Sequence, residues 1–215
     1  MARGPFISLD GLDGAGKSTQ CRLLSQWLRR RGFVVTQCAD PGGTEIGQVL
    51  RGLLLDHRRD INLQCEALLF MASRAQLVAE IIRPALEASQ AVVSDRFLLA
   101  NIAYQGYGGG LDPTVLHDLG LLATGGLEPD LTFVLDLPLT AARGRRKAEA
   151  DRMERRDEAF HDRVRDGFLA EAGKRPDRIR VLDAGQPLEQ VQEIIRSEVA
   201  SFLKGPNVLG TPAGS

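Results

Sequence analysis

Five short apolar runs stand out along the chain, and longer segments with a different periodicity separate them. The runs are FISL at 6–9, FVVTQC at 33–38, AVVS at 91–94, LTFVLDL at 131–137 and IRVLDA at 179–184. They are rich in Val, Ile, Leu and Phe and show little strict alternation, as expected for strands that are buried on both faces of a parallel sheet. The pattern therefore predicts five parallel strands.

The segments between these runs repeat apolar residues at spacings of three and four, which predicts helices. One helix would end at Gly32, a long helix near residues 65–83 would stop near Pro84, and a final helix would run from Leu188 to Phe202. Strands that alternate with helices imply a three-layer α/β fold, with helices on both faces of the sheet. We expect one domain over residues 1–204 and a loose tail at 205–215.

Composition and charge limit the classes of partner. The 215 residues are 43% hydrophobic and 26% charged, and the formal net charge of −1 provides no whole-molecule field for nucleic acid or an anionic membrane. No stretch approaches the ~18 apolar residues that a membrane span needs. Cys21, Cys38 and Cys65 have no metal-type spacing and suit a reducing compartment. These features predict a cytoplasmic protein that binds neither nucleic acid nor membrane.

The stretch GLDGAGKS at residues 11–18 matches the pattern G-x-x-x-x-G-K-[ST] between the first predicted strand and helix. Glycines let backbone N–H groups curl around an anion, and the helix N-terminus adds the positive end of its dipole. Lys17 would reach the β- and γ-phosphates, and the Ser18 hydroxyl would ligate Mg²⁺. The predicted ATP-binding residues of this loop are Gly11, Leu12, Asp13, Gly14, Ala15, Gly16, Lys17, Ser18 and Thr19.

The third predicted strand ends in VVSDRF, which helps to decide which class of P-loop protein this is. The chain has no N-K-x-D guanine reader, and no apolar strand ends in D-E or D-D as expected for a motor or partition ATPase. Asp95 and Arg96 would instead lie at the carboxyl edge of the sheet, where ligands bind in open α/β folds. Asp95 can hold Mg²⁺ directly or through water, and Arg96 can fork onto a second phosphate. A surface salt bridge is the alternative interpretation of this pair.

Five further motifs follow the P-loop in a fixed order: DPGGT at 40–44, LRGLLL at 50–55, LLFMASRAQ at 68–76, DRF at 95–97 and NIAYQG at 101–106. Together they resemble thymidylate kinase over about residues 5–203. The resemblance implies the P-loop nucleoside-monophosphate kinase fold, phosphorylation of dTMP by ATP with Mg²⁺, and a homodimer. Another P-loop nucleoside or nucleotide kinase is the nearest alternative, and a nucleotide-binding switch is an alternative of a different class.

The motifs at 68–76 and 101–106 supply candidate residues for the acceptor base and sugar. Phe70 and Arg74 are four residues apart on one helical face, so a ring for stacking lies beside a donor for a base carbonyl. The resemblance implies that they stack on thymine and bond its O4. It also implies that Asn101, Tyr104 and Gln105 surround the sugar and base, with Tyr104 where a ribose 2′-hydroxyl would lie. The alternative roles are ordinary core packing for Phe70, a solvated charge for Arg74, and local helix capping and packing for the other three.

The resemblance further implies that Arg51 and Arg96 hold the acceptor monophosphate and that Asp13 interacts with the deoxyribose 3′-hydroxyl. The chain departs from the family at one motif, because it has Ala39 and Asp40 where Arg and Glu are usual. Asp is the shorter acid, so a contact made at this position could be altered.

A basic stretch at 143–156, RGRRKAEADRMERR, follows the fourth predicted strand. Some thymidylate kinases carry an arginine at the P-loop position that Gly14 occupies here. The chain resembles the bacterial subtype in which arginines of a mobile lid replace it. Arg152 is the best match for the catalytic residue of the lid. The predicted catalytic residues are thus Lys17, Arg96 and Arg152, and Arg143 and Arg145 are secondary ATP-binding candidates. A solvated helix face is the alternative for this charge run.

Overall fold

A five-stranded parallel sheet forms the centre of the fold. The computed structural model describes residues 3–144 and 151–205, and the side chains of residues 143 and 144 are not described. The strands are β1 (Phe6–Asp10), β2 (Val35–Ala39), β3 (Ala91–Asp95), β4 (Leu131–Asp136) and β5 (Ile179–Asp183). They lie in the order β2-β3-β1-β4-β5, and every pair is parallel. The predicted five-stranded parallel sheet is confirmed.

Helices cover both faces of the sheet, as predicted. They are α1 (Lys17–Arg30), α2 (Glu45–Leu55), α3 (Leu63–Leu77), α4 (Arg83–Glu87), α5 (Leu98–Asn101), α6 (Pro113–Thr124), α7 (Leu139–Gly144), α8 (Glu158–Lys174) and α9 (Leu188–Leu203). On one face, Leu24 of α1 and Ile195 of α9 share a core with Leu9 of β1. On the other face, Phe6 of β1 packs with Met71 of α3. Both faces of β1 are thus buried, as the lack of strict apolar–polar alternation in its sequence predicted.

The long helix does not stop near Pro84, so this prediction was wrong. After α3 the chain continues through a π-helical turn, Val78–Ile82, into α4, and Pro84 lies in the first turn of α4. A proline is tolerated there because it lacks the N–H that a first-turn residue does not need. The helical path ends at Glu87, and Ser89, two residues beyond it, has a φ of 59°. The predicted end of α1 is confirmed, since Gly32 has a φ of 86° just beyond Arg30.

The carboxyl ends of the strands bring the predicted motifs to one edge. Asp95 pairs with Leu9 of β1 and with Ala39 of β2. It is therefore flanked by the P-loop on one side and by the turn that begins at Asp40 on the other. This edge is where an open α/β sheet binds its ligands.

Two predictions fall partly outside the described residues. Residues 145–150 of the predicted lid, and residues 206–215 of the predicted tail, are not described. Within residues 3–144 and 151–205, no helix is long and apolar enough to cross a membrane.

Candidate active site

The P-loop forms the turn between β1 and α1 that the sequence predicted. Gly11, Gly14 and Gly16 have φ angles of 134°, 89° and 94°, which residues with a Cβ adopt only at a cost. The buried Lys17 donates from Nζ to the carbonyl oxygen of Leu12 at 2.8 Å. The backbone N–H groups at the start of α1 have no side-chain cap, which suits a loop that receives an anion.

Gly14 is held against helix α7. A Cβ added at Gly14 would overlap the carbonyl oxygen of Ala142, which is itself buried. The backbone therefore leaves no room for a side chain at this position, including the arginine that the resemblance associates with it in some members.

We expect Gly14→Ala to lower both stability and ATP affinity. The positive φ alone costs about 1–3 kcal/mol, and the overlap with Ala142 adds the displacement of α7. Gly126→Ala is the matched control, because Gly126 has a φ of 73° with no atom near the added Cβ. Urea denaturation and titration with an ATP analogue measure the two effects. A Gly14→Ala protein no less stable than Gly126→Ala would contradict the steric argument.

Ser18 and Asp95 meet at the carboxyl edge of the sheet. The Ser18 hydroxyl donates to the Asp95 carboxylate. Among the described residues there is no group of three or more His, Cys, Asp or Glu side chains that could hold a metal ion. Mg²⁺ is commonly bound through one or two protein oxygens, with water and phosphate oxygens completing its shell. The hydroxyl and carboxylate present here fit that ion.

Asp13, Arg96 and Tyr104 form a tight cluster next to the P-loop. Arg96 donates from Nη2 to Asp13 Oδ1 at 2.7 Å and to the Tyr104 hydroxyl at 3.2 Å, and that hydroxyl donates to Asp13 Oδ2 at 3.1 Å. Arg96 adopts a φ of 70°, an uncommon conformation that its surroundings must hold in place. Burial alone would raise the pKa of Asp13, but the charges of Arg96 and Lys17 lower it below its usual range. Asp13 is thus a carboxylate at neutral pH.

The structure brings the predicted acceptor-binding residues together around one cavity. Its walls include all eight of them: Asp13, Arg51, Phe70, Arg74, Arg96, Asn101, Tyr104 and Gln105. A second, wider cavity is lined by Lys17, Ser18 and Asp95. Asp13, Arg51 and Arg96 belong to the walls of both, so the cradle and the acceptor pocket form one cleft.

Arg74 is the most buried cation of this cleft. Its Nε donates to Asp40 Oδ2 at 2.5 Å, and its Nη1 donates to Asn101 Oδ1 at 3.0 Å. Asp40, which stands where Glu is usual, therefore forms a buried ion pair with Arg74, a predicted base-binding residue. Asn101 in turn donates from Nδ2 to Gln105 Oε1 at 2.7 Å. The side chains of Asn101 and Gln105 therefore lie on the same side of their helical segment.

Arg51 is placed by the turn after β2. It donates from Nη1 to the carbonyl oxygen of Pro41 at 2.8 Å, which directs its guanidinium along the shared part of the cleft. Arg51 and Arg96 thus both lie where the two cavities join.

Of the predicted lid arginines, Arg152 is the one whose side-chain contacts the structure describes. The guanidinium of Arg152 contacts Glu66 Oε2 at 2.6 Å and donates from Nε to the carbonyl oxygen of Leu54 at 2.8 Å. Its described contacts are therefore with α2 and α3, on the acceptor side, and not with the P-loop. The side chain of Arg143 and the whole of Arg145 lie outside the described residues.

Sequence reasoning missed two buried carboxylates. Glu66 lies on α3 one turn before Phe70 and two turns before Arg74, so its spacing could have revealed it. Asp10 is the last residue of β1 and is fully buried, and its Oδ1 accepts from the N–H of Phe97 at 3.5 Å. Burial raises the pKa of Asp10 to about 6, against the attraction of Arg96 and Lys17 and with some repulsion from Asp95.

The raised pKa of Asp10 predicts a pH-dependent gain in stability for Asp10→Asn. The folded chain holds this proton more tightly than the unfolded chain, so ionisation destabilises the fold as pH rises from the ordinary 3.8 through about 6. The asparagine removes this cost of roughly 3 kcal/mol above pH 7 and brings little benefit below pH 4. Urea denaturation between pH 5 and 8 measures it. Asp177→Asn, at a side chain 78% exposed, is the control and should show no such trend; a pH-independent difference for Asp10→Asn would contradict the assignment.

Comparison with known proteins shows which family this chain resembles. The family model for thymidylate kinase matches residues 9–195. A thymidylate kinase of Gloeobacter violaceus is 48% identical over 202 residues, which cover 92% of this chain and 95% of that protein. One from Desulfovibrio desulfuricans is 44% identical and covers 93% and 96% of the two chains.

A solved structure agrees with the sequence comparison. The crystal structure of thymidylate kinase from Ehrlichia chaffeensis has a TM-score of 0.76 and 31% identity, and the match covers 92% of this chain and 99% of that one. The residues matched by the family model include the P-loop and every residue that lines the two cavities. Because the family model and these relatives match the chain over most of its length, the chain belongs to the thymidylate kinase family.

Proposed function

We propose that the chain transfers the γ-phosphoryl group of ATP to dTMP, giving dTDP and ADP for dTTP synthesis in the cytoplasm. The observation that carries this proposal is the single cleft in which the phosphate cradle opens into a pocket with an aromatic wall and a buried arginine. Because Asp13, Arg51 and Arg96 line both parts, the cleft can hold two phosphorylated molecules end to end. Holding the reactants in line is the main contribution of such an enzyme.

On the donor side, the P-loop backbone would bind the ATP phosphates and Lys17 would contact the β- and γ-phosphate oxygens. Ser18 and Asp95 would hold Mg²⁺, which supplies charge neutralisation on the donor phosphates when it is bound. The pairing of the Ser18 hydroxyl with the Asp95 carboxylate supports this pair as the protein's contribution.

On the acceptor side, Phe70 would stack on thymine and Arg74 would donate to its O4, with Asn101 and Gln105 completing the contacts to the base. The fixed position of the Arg74 guanidinium between Asp40 and Asn101 supports this role. Tyr104 would occupy the space of a ribose 2′-hydroxyl and so favour a deoxyribose.

The remaining acceptor contacts lie where the two cavities join. Arg51 and Arg96 would bind the acceptor phosphate, and Asp13, which is ionised, would accept from the 3′-hydroxyl. The acceptor phosphate oxygen is already anionic near pH 7, so the attack needs no side-chain base.

Positive charge around the transferred group would come from Lys17, Arg96 and the lid. We propose Arg152 as the main lid residue, with Arg143 and Arg145 as secondary contributors. The Arg152 guanidinium is held by Glu66 and the carbonyl oxygen of Leu54, and it would supply its charge from that position.

Arg152→Ala should lower kcat about 10²-fold and change the Kd for dTMP by less than about threefold, because lid charge is needed mainly in the transition state. Steady-state kinetics and calorimetric titration with dTMP give the two values. Arg163→Ala is a suitable control, since Arg163 bonds only the carbonyl oxygen of Gly108 among the contacts described. Turnover near that of the unmodified enzyme would remove Arg152 from the catalytic set.

A substrate panel tests the overall assignment. ADP release is measured with dTMP, dUMP, dCMP and thymidine under the same ATP and Mg²⁺ concentrations, and dTMP is expected to give the highest kcat/KM. A higher value for dCMP or thymidine would favour another nucleotide or nucleoside kinase. Stoichiometric ATP binding without turnover on any of them would favour a nucleotide-binding switch.

We further propose that the enzyme is a homodimer. Large apolar side chains are exposed on three neighbouring helices: Ile46 and Val49 of α2, Leu68 of α3, and Val115 and Leu122 of α6. An apolar surface of this kind is typical of a protein interface. Sedimentation equilibrium should give the mass of two chains, and Leu68→Glu should shift it to one.

A further inference from the structure

A chain of buried hydrogen bonds runs from the base pocket to the lid segment, and Glu66 lies at its junction. Arg74 donates to the Asn101 oxygen at 3.0 Å, and the Asn101 amide nitrogen donates to the Gln105 oxygen at 2.7 Å. Gln105 then donates from Nε2 to Glu66 Oε1 at 2.7 Å. Arg152 contacts the other carboxylate oxygen at 2.6 Å. The side chains of Arg74, Asn101, Gln105 and Glu66 are all buried.

The two ends of this chain permit only one direction of donation. An arginine guanidinium can only donate, and an ionised carboxylate can only accept. If the amide of Asn101 or Gln105 were rotated, two donors or two acceptors would face each other inside the protein, which costs as much as an unsatisfied buried group. Arg74 and Glu66 therefore fix the orientation of both amides. Since Asn101 and Gln105 line the cavity, their orientation decides which donors and acceptors the pocket offers to a base.

The same carboxylate fastens the segment that follows the undescribed part of the lid. Arg152 donates from Nε to the carbonyl oxygen of Leu54, and its backbone N–H donates to that of Leu55 at 3.2 Å. These carbonyls belong to the last turn of α2, where a cation is favoured by the helix dipole. The neighbours of Arg152, Asp151 and Met153, line the acceptor cavity. The Glu66 side chain itself is only 1% exposed and lies behind that wall.

We propose that Glu66 is a positioning residue that sets the hydrogen-bond polarity of the base pocket and at the same time anchors Arg152 at its rim. Selection of the base and placement of the lid segment then depend on one buried carboxylate. The inference rests on the proposed function, because it assigns the pocket to a pyrimidine monophosphate and the rim to the lid.

Glu66→Gln tests both halves with little change of shape. A glutamine can donate or accept, so only Arg74 then favours the present orientation of the Asn101 and Gln105 amides, and Arg152 loses its counter-ion. We expect kcat/KM for dTMP to fall by about 10- to 100-fold, the loss associated with a hydrogen bond to a charged group. dCMP presents an amino donor where thymine has the O4 acceptor, so its kcat/KM should fall much less. The dTMP-to-dCMP ratio should therefore drop at least about tenfold.

The connection to the lid is tested by a double-mutant cycle on kcat. If Glu66 acts through Arg152, adding Glu66→Gln to Arg152→Ala should lower kcat by less than about threefold further, because the second change removes an interaction already lost. Glu171→Gln is the matched control. Glu171 is also a buried carboxylate, and it accepts from Tyr107 and Lys174 outside the residues that line the two cavities. It should leave both the ratio and kcat within twofold.

Either of two results for Glu66→Gln overturns the inference. An equal loss of kcat/KM for dTMP and dCMP would mean that Glu66 only supports the fold, and an undiminished effect in the Arg152→Ala background would separate Glu66 from the lid. If circular dichroism shows that Glu66→Gln is unfolded, Glu66→Asp replaces it. That carboxylate is one methylene shorter and cannot keep both Gln105 and Arg152. If Glu66→Asp shows no loss in either assay, the inference is overturned. An unmodified enzyme inactive on dTMP contradicts the proposed function itself, whereas an active enzyme with an unchanged ratio in Glu66→Gln contradicts only this inference.

Discussion

Arg96→Ala is expected to reduce kcat about 10³-fold and to raise the KM for dTMP. Arg96 lines both cavities, and its guanidinium lies 5.0 Å from the centre of the Tyr104 ring while it donates to Asp13. With Arg51, it is one of the two described arginines that line both cavities, where acceptor and transferred phosphates would meet. Arginines that neutralise the transferred phosphoryl group contribute about 10³–10⁵ in rate. Steady-state kinetics over a matrix of ATP and dTMP concentrations gives both constants.

Two companion variants separate the charge of Arg96 from its backbone. Arg96→Gly also removes the charge but relieves the strain of a φ of 70°, so it should be as inactive as Arg96→Ala and more stable. Arg165→Ala removes a comparable ion pair, with Asp136, away from the residues that line the cleft and should retain turnover. Arg96→Ala activity within tenfold of the unmodified enzyme would exclude Arg96 from the transfer step.

Lys17→Met should lower kcat/KM for ATP by about 10³-fold without destabilising the fold. The Lys17 ammonium is held by the Leu12 carbonyl oxygen and lies 3.6 Å from Asp13, so its charge is aimed into the loop. Preorganised charges of this kind contribute about 10²–10³ each to phosphoryl or acyl transfer. Burial and the nearby Arg96 lower the pKa of Lys17, which means that its charge is costly to the folded state.

The two readouts of Lys17→Met are therefore expected to diverge. Methionine has a similar length and no charge, so the midpoint of urea denaturation at pH 7.5 should stay the same or increase while activity is lost. Lys174→Met is the control, because Lys174 is 59% exposed and pairs with Glu171 outside the cleft. A large loss of stability together with activity would mean that Lys17 serves the fold instead of the reaction.

The sheet and the position of the cleft could be predicted because local patterns determine them. Apolar runs without alternation can be buried only between two layers of helices, and a glycine-rich turn between strand and helix leads to a single type of phosphate site. Asp95 could be placed at the sheet edge because it ends such a run. Phe70 and Arg74 could be paired because a spacing of four puts them on one helical face.

The contacts of Asp10, Glu66 and Arg152 could not be predicted, because long-range packing determines them. The spacing of four places Glu66 on the helical face of Phe70, but its partner Gln105 is 39 residues away in sequence, and no local pattern joins the two. Pro84 misled the prediction for a related reason, since the π-helical turn before it shifts the helix by one residue and restarts it. Local rules describe each segment, whereas these features arise where segments meet.

The contact between Gly14 and α7 has a consequence for how this family can evolve. A chain with this backbone cannot acquire an arginine at position 14 in one step, because the Ala142 carbonyl occupies the space of its Cβ. The helix after β4 would first have to move or change length. Residue 14 and the segment 139–144 should therefore covary among related sequences, and intermediates with a bulky residue at 14 and an unchanged helix should be rare.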